Sequence, residues 1–170
     1  MLAGIPSWAG EMLPLEMGNF WTYRDAATGQ TFTVRVGTPV ALQSGRVYHS
    51  LQGFTPQRVL ARISEAGDLA IYDEESEQER ILTAFSTGSR DWWPAPEREC
   101  KLKGQVDEKL TAYAGPAGRW NRVLGVQYRS VQCADAGPQL GQFAENIGML
   151  RRVVNTIAGP RTYDLVYARI

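Results

Sequence analysis

Apolar and polar residues alternate with a period of two along much of this chain. Phe32, Val34 and Val36 alternate with Thr31, Thr33 and Arg35, the pattern of an extended strand with one face buried. Val59, Ala61 and Ile63 alternate in the same way with Arg58, Leu60 and Arg62. Leu124, Val126 and Tyr128 alternate with Val123, Gly125 and Gln127. Near the C-terminus Tyr163, Leu165 and Tyr167 share one expected face, and Thr162, Asp164, Val166 and Ala168 share the other. That last segment is apolar enough on both faces to lie inside a sheet rather than at its edge.

Turn chemistry separates these runs: Ala27-Thr28-Gly29-Gln30, Ser44-Gly45, Ala66-Gly67-Asp68, Gly115-Pro116-Ala117-Gly118 and Ala158-Gly159-Pro160. Short strands joined by tight turns predict hairpins, and hairpins in series predict an antiparallel meander. The expected class is all-β, with little helix: a curved sheet, an open barrel or a sandwich. Thr55-Pro56 followed by Val59, Leu60 and Ile63, with Gly67 beyond, also fits a capped helix. A hairpin from Arg58–Ser64 to Leu69–Tyr72 is preferred, because Glu65-Ala66-Gly67-Asp68 is a good hairpin loop. Ser86 to Glu99 has two prolines and no regular period, and reads as a long loop or cross-over. Cys133 to Gln142, rich in Gly, Ala and Pro, reads as a second irregular loop. No repeat of solenoid length interrupts this pattern, so residues 13–170 are expected to form a single β-domain.

Composition narrows the picture. The 170 residues are 44% hydrophobic and 21% charged, as in a packed globular protein. Eighteen basic and 18 acidic residues leave no net charge, so the basic excess that nucleic-acid binding requires is missing. Seventeen Gly and nine Pro favour turns over long helices. No stretch approaches the ~20 apolar residues of a membrane-spanning helix. Met1 to Gly10 is apolar and uncharged, and Ser7-Trp8-Ala9-Gly10 resembles the small-residue end of a signal peptide without its basic start. Residues 1–12 are therefore expected to be a leader remnant or a flexible N-terminus, with export favoured.

Cys100 and Cys133 are the only cysteines, and a disulfide between them is favoured in an exported protein. Neither CxxC spacing nor a histidine partner supports a metal site. His49 is the only histidine, and Ser50 beside it points to the opposite side of a strand, so no nucleophile–base pair is expected. The acidic run Asp73 to Glu79 has Gln78 where a calcium loop needs glycine, and reads as a solvated hairpin tip. Phosphate-cradling glycine motifs are absent, no cofactor is implied, and Arg151-Arg152 with Arg161 are too few for a basic stripe. Trp92-Trp93-Pro94 is the most suggestive patch: it either folds over an open end of the sheet or presents an exposed aromatic to a partner.

Several segments, in order, resemble a loosely defined group of exported bacterial proteins and lipoproteins of uncharacterised function. Leu13 to Tyr23 resembles a "PL-x-x-GN-x-W-x-Y" start, and Leu60 to Asp73 resembles an "L-V-R-x-x-E-x-G-x-V-Y-x-Y-D" hairpin. Ala117 to Tyr128 is similar to "A-G-x-F-x-N-V-L-x-V-x-Y", and Phe143 to Arg152 to "F-A-P-G-V-G-L-V-x-R". Glu145-Asn146 stands where the last pattern has Pro-Gly. The resemblance runs from about Leu13 to Leu165. It implies a fold of curved β-sheets and an extracytoplasmic location, and it brings no catalytic residues. Gly18, Gly118 and Gly148 within these motifs are expected at positive φ or at close backbone approaches. Trp21, Tyr23, Trp120 and Tyr128 are expected to anchor the core. The expected function is a non-catalytic extracytoplasmic binding or scaffolding domain that holds a protein, lipid or polysaccharide of the cell envelope. The alternatives are a hydrolase with a carboxylate-based site and a proteinase-inhibitor-like module that uses Ser86 to Glu99.

Overall fold

Turn glycines and period-two segments produce one continuous antiparallel sheet, described in a computed structural model for residues 10–54, 57–86, 93–95, 102–107, 109–130, 133 and 136–170. Its strands are β1 (Phe20–Asp25), β2 (Thr31–Ala41), β3 (Val47–Gln52), β4 (Val59–Ile63), β5 (Leu69–Asp73), β6 (Gln78–Thr83), β7 (Trp93–Ala95), β8 (Leu102–Val106), β9 (Thr111–Gly115), β10 (Gly118–Ser130), β11 (Gly137–Ala144), β12 (Gly148–Thr156) and β13 (Gly159–Arg169). No helix occurs among the described residues. The spatial order is β6-β5-β4-β3-β2-β1-β13-β12-β11-β10-β8-β7, with β9 paired only to β10. Sequential hairpins make most of the ladders, while β1–β13 joins the two ends of the chain and β8–β10 skips over β9. The ends of the path, β6 and β7, approach each other without a ladder, so the sheet curls into a nearly closed barrel.

The expected hairpin over residues 58–72 is present: β4 and β5 pair from Leu60↔Tyr72 to Ile63↔Leu69. Gly67 turns it at φ +86. Both Leu60 and Ala61 are buried, so β4 is covered on two faces rather than one. β13 is an interior strand flanked by β1 and β12, as its two apolar faces require.

Three expectations change. Tyr167 does not share a face with Leu165, because β13 bulges at Val166, where Thr22↔Tyr167 is followed by Tyr23↔Leu165. An extra residue in one strand reverses the alternation beyond it. Leu165 is therefore buried, while Tyr167 is 56% exposed and packs on Phe20 at 5.7 Å. The second expected loop, Cys133 to Gln142, contains most of β11, a strand held on both sides by β10 and β12. Gly137, Pro138 and Gly141 hide its alternation, and its neighbours supply the order. Within Ser86 to Glu99, β7 pairs with β8 from Trp93↔Gly104 to Ala95↔Leu102.

The core fills the barrel interior with Trp21, Tyr23, Val34, Val36, Leu51, Ala61, Leu69, Val123, Leu124, Val126, Leu150 and Leu165, all nearly inaccessible. The N-terminal segment closes one end. Met12, Leu13 and Leu15 are buried there, and Asn19 Nδ2 donates to the Pro14 carbonyl at 3.0 Å. Asn146 N–H donates to the Glu11 carbonyl at 2.8 Å, tying that segment to the β11–β12 turn.

Candidate functional site

The plugged end is closely packed among the described residues. Trp21 Nε1 donates to the Ile147 carbonyl at 2.6 Å, and Tyr23 Oη donates to the Met149 carbonyl at 2.9 Å. Gly148 sits at φ +105, and a Cβ there would stand 2.9 Å from Trp21 Nε1 and 3.1 Å from Leu13 Cδ1. Asn146, at φ +60, takes the left-handed turn position that glycine holds in the resembled pattern. Gly18 and Gly118 also have positive φ, at +96 and +146.

Toward the other end the barrel retains a small concavity, with a cavity volume of about 30 Å³, lined by Phe54, Leu82, Thr83, Tyr128, Pro138, Leu140, Gly141, Phe143, Met149 and Arg152. Its residues come from the loop after β3 and from β6, β10, β11 and β12, and strand pairing brings them together. Phe143, Met149 and Thr83 are buried at its inner side, whereas Pro138, Leu140, Phe54 and Leu82 are half-buried. Gly141 belongs to this wall because a Cβ would press on the Phe143 ring at 2.7 Å.

Among the described residues, three polar groups interrupt the apolar lining. Tyr128 Oη and Thr83 Oγ1 share a hydrogen bond of 2.7 Å. Burial pushes the Tyr128 phenol up to about 12, against a lowering by the Thr83 hydrogen bond and the positive field of Arg152. Arg152 donates from Nη1 to the Phe54 carbonyl at 3.0 Å and lies over the Phe54 ring at 5.2 Å. The Tyr23 phenol is likewise raised by burial, and Arg152 again opposes the rise.

The outer surface carries two ionic clusters of a different kind. Glu79 accepts from Arg62 Nε at 2.5 Å, Arg62 Nη2 at 2.7 Å and Tyr48 Oη at 2.5 Å. Its carboxyl is held below the usual range, first by the Arg62 hydrogen bond, against the opposing effect of burial. On β13, Asp164 Oδ1 accepts from Arg151 Nε at 2.6 Å and Tyr113 Oη at 2.8 Å, with Arg151 stacked over the Tyr113 ring at 5.1 Å. This cluster fastens the β9–β10 hairpin to β13. Burial, followed by the Asp164 hydrogen bond, pushes the Tyr113 phenol up to about 12.

Other expected features fall in separate places. His49 lies on the face of Ala61, its cross-strand partner, and Ser50 lies on the opposite face opposite Leu60. His49 Nδ1 and Ser50 Oγ are each buried without a hydrogen-bond partner, and adjacent strand positions hold them apart. Residues 74–78 form an exposed hairpin tip in which Asp73 Oδ1 accepts from Glu75 N–H at 3.0 Å, whereas Glu79 belongs to the Arg62 cluster. No group of three metal-ligating side chains occurs among the described residues. Cys133 is disulfide-bonded, and Cys100 lies outside the described residues. Trp92 also lies outside them; Trp93 contributes backbone to β7, and its side chain is not described. Ser86 is anchored, with N–H and Oγ bonded to Asp68 at 2.8 and 2.9 Å.

Sequence patterning missed Arg152, because Arg151-Arg152 counts as surface charge when only basic density is weighed. The available signal was a second charge inside the apolar run Met149-Leu150 to Val153-Val154. Alternation places Arg151 outside, opposite Asp164, and Arg152 inside, opposite Tyr163.

No family model matches the chain, and no curated protein matches it. Two solved structures are similar in shape over most of its length. One is a "putative lipoprotein" from Parabacteroides distasonis, 13% identical, covering 94% of this chain and 99% of its own, with a TM-score of 0.47. The other is a "putative exported protein with YmcC-like fold" from Bacteroides fragilis, 14% identical, covering 95% and 100%, with a TM-score of 0.48. Neither likeness transfers a residue role.

Proposed function

We propose that this chain is a non-catalytic binding domain of the cell envelope whose ligand enters the barrel pocket between Phe54, Leu82 and Pro138. The observation that carries this is the pocket itself: an apolar concavity with few polar groups, in a barrel whose other end is plugged. A disulfide at Cys133 supports an oxidising compartment, as does the leader-like Met1 to Gly10. The ionic clusters support binding over hydrolysis. A general acid needs a carboxyl raised toward neutral pH, whereas Glu79 and Asp25 are both held below the usual carboxylate range. For Asp25 the first cause is the Ala27 N–H, and Thr28 N–H and Arg161 add to it.

A neutral fluorescent probe, N-phenyl-1-naphthylamine, tests the pocket. Wild-type protein is expected to bind it saturably at one site with a blue shift in emission. Leu82→Trp, which enlarges a half-buried side chain packed against the core at the pocket, is expected to abolish that signal at a cost of no more than about 3 kcal/mol in unfolding free energy. Absence of saturable binding to wild-type protein, or unchanged binding to a folded Leu82→Trp variant, overturns the proposal.

A further inference from the structure

Three arginines and an aromatic pair share the outer face of β13, β1 and β2, away from the barrel pocket. We infer that this face docks on the surface of a bilayer containing anionic phospholipids, with the arginines at the phosphates and apolar side chains at the headgroup–acyl boundary. The inference is independent of the pocket and of what the pocket binds.

Strand register builds the face. Trp21 and Tyr23 belong to the core, so Phe20, Thr22 and Arg24 lie on the opposite side of β1. Pairing with β13 and β2 lays down three rows: Arg169–Phe20–Arg35, Tyr167–Thr22–Thr33 and Asp164–Arg24–Thr31. The bulge at Val166 is decisive here, because it turns Tyr167 and Arg169 outward beside Phe20.

Arg24, Arg35 and Arg169 are exposed, and none of them makes an ion pair or a side-chain hydrogen bond among the described residues. Arg35 lies over the Phe20 ring at 5.0 Å, a contact that supplies no acceptor for its N–H donors. Asp164, the acid within these rows, is taken up by Arg151 and Tyr113. Glu16 is exposed at the margin and offsets part of the positive charge. A chain with no net charge has no general attraction for an anionic surface, so uncompensated arginines gathered on one face give it a preferred orientation there.

The apolar side chains select among anionic partners. Tyr167 lies in the second row, and Met17 and Ile170 stand where the first row ends on the plug side. These are three of the five large apolar side chains that are exposed among the described residues, so the clustering is local to the basic face. A soluble polyanionic glycan has nothing to place against Met17 and Ile170. A bilayer surface offers phosphates above and hydrocarbon below, and takes both sets of side chains at once.

Flotation of the full chain with vesicles tests this, using phosphatidylcholine alone or three parts phosphatidylcholine to one part phosphatidylglycerol. Wild-type protein is expected to partition about tenfold or more in favour of the anionic vesicles. It is expected to lose most of that binding as sodium chloride rises from about 0.1 M to about 0.5 M. Replacing Arg24, Arg35 and Arg169 together by Gln is expected to lower the anionic partition by about tenfold or more, since each arginine near such a surface is worth about fivefold. Met17→Ser with Ile170→Ser is expected to remove the part of the binding that survives high salt. Replacing Arg58, Arg80 and Arg119 by Gln, which are exposed elsewhere, makes the same change in net charge and is expected to leave binding within about twofold of wild type. Equal flotation of wild-type protein with the two vesicle types overturns the inference with no variant needed. An equal loss in the two triple variants overturns it as well. So does absence of flotation, including the case in which the protein binds dextran sulfate, a soluble polyanion, instead.

Discussion

The two ends of the barrel are built from similar strands and do opposite things. At the plugged end Trp21, Leu13 and Gly148 meet with no space for one added methyl group, and indole and phenol protons are spent on the carbonyls of Ile147 and Met149. At the other end Gly141 and Pro138 border a concavity, where the polar groups among the described residues are Arg152 and two hydroxyls bonded to each other. The difference shows how one sheet divides its labour. The end where chain segments close on each other gains dense packing, and the end left open keeps a cation among apolar side chains.

Truncation at the plug gives the largest expected effect. Trp21→Ala removes a fully buried indole and its hydrogen bond, and is expected to cost about 3–5 kcal/mol in urea or thermal unfolding. A Trp21→Ala protein that unfolds within about 1 kcal/mol of wild type would contradict the packing described for this end. Gly148→Ala ranks second, at about 2–3 kcal/mol, because positive φ and the nearby indole oppose a side chain together. The same substitution at Gly159 meets nothing within 4 Å, so it isolates the backbone part of that cost.

The smallest effect belongs to the open end. Tyr128→Phe is expected to cost about 1 kcal/mol at neutral pH through loss of the Thr83 bond. It also has a signature in pH. Because burial raises the folded phenol to about 12, its contribution is present in full below about pH 10 and is lost as the pH rises toward 12. Wild-type stability should therefore fall between those limits, and Tyr128→Phe should fall less steeply. Urea midpoints measured from pH 8 to 11.5 check this, and identical slopes for the two proteins would show that Tyr128 ionises as freely in the fold as outside it.

Local patterning made the sheet legible. Alternation at residues 31–36 and 58–63 marked β2 and β4, and Gly29, Gly67 and Gly159 marked turns that do adopt positive φ. It failed where alternation was broken. The bulge at Val166 reverses Tyr167, and nothing in Tyr-Asp-Leu-Val-Tyr announces where an extra residue will be accommodated. β11 was hidden because Gly137, Pro138 and Gly141 have little strand propensity, and its order comes from β10 and β12 on either side.

The pocket was legible only in its parts. Leu82, Tyr128, Leu140 and Met149 each carry ordinary core character, and they lie far apart in sequence. What the sequence by itself determined was the class of fold and the positions of most turns, because these follow from period and φ. The tertiary structure alone decided that the β12 arginines serve opposite faces, Arg151 binding Asp164 and Arg152 entering the barrel. Closure decided the rest: a charge becomes an interior group only when distant strands curl around it, and that curvature depends on ladders whose partners the chain does not name locally.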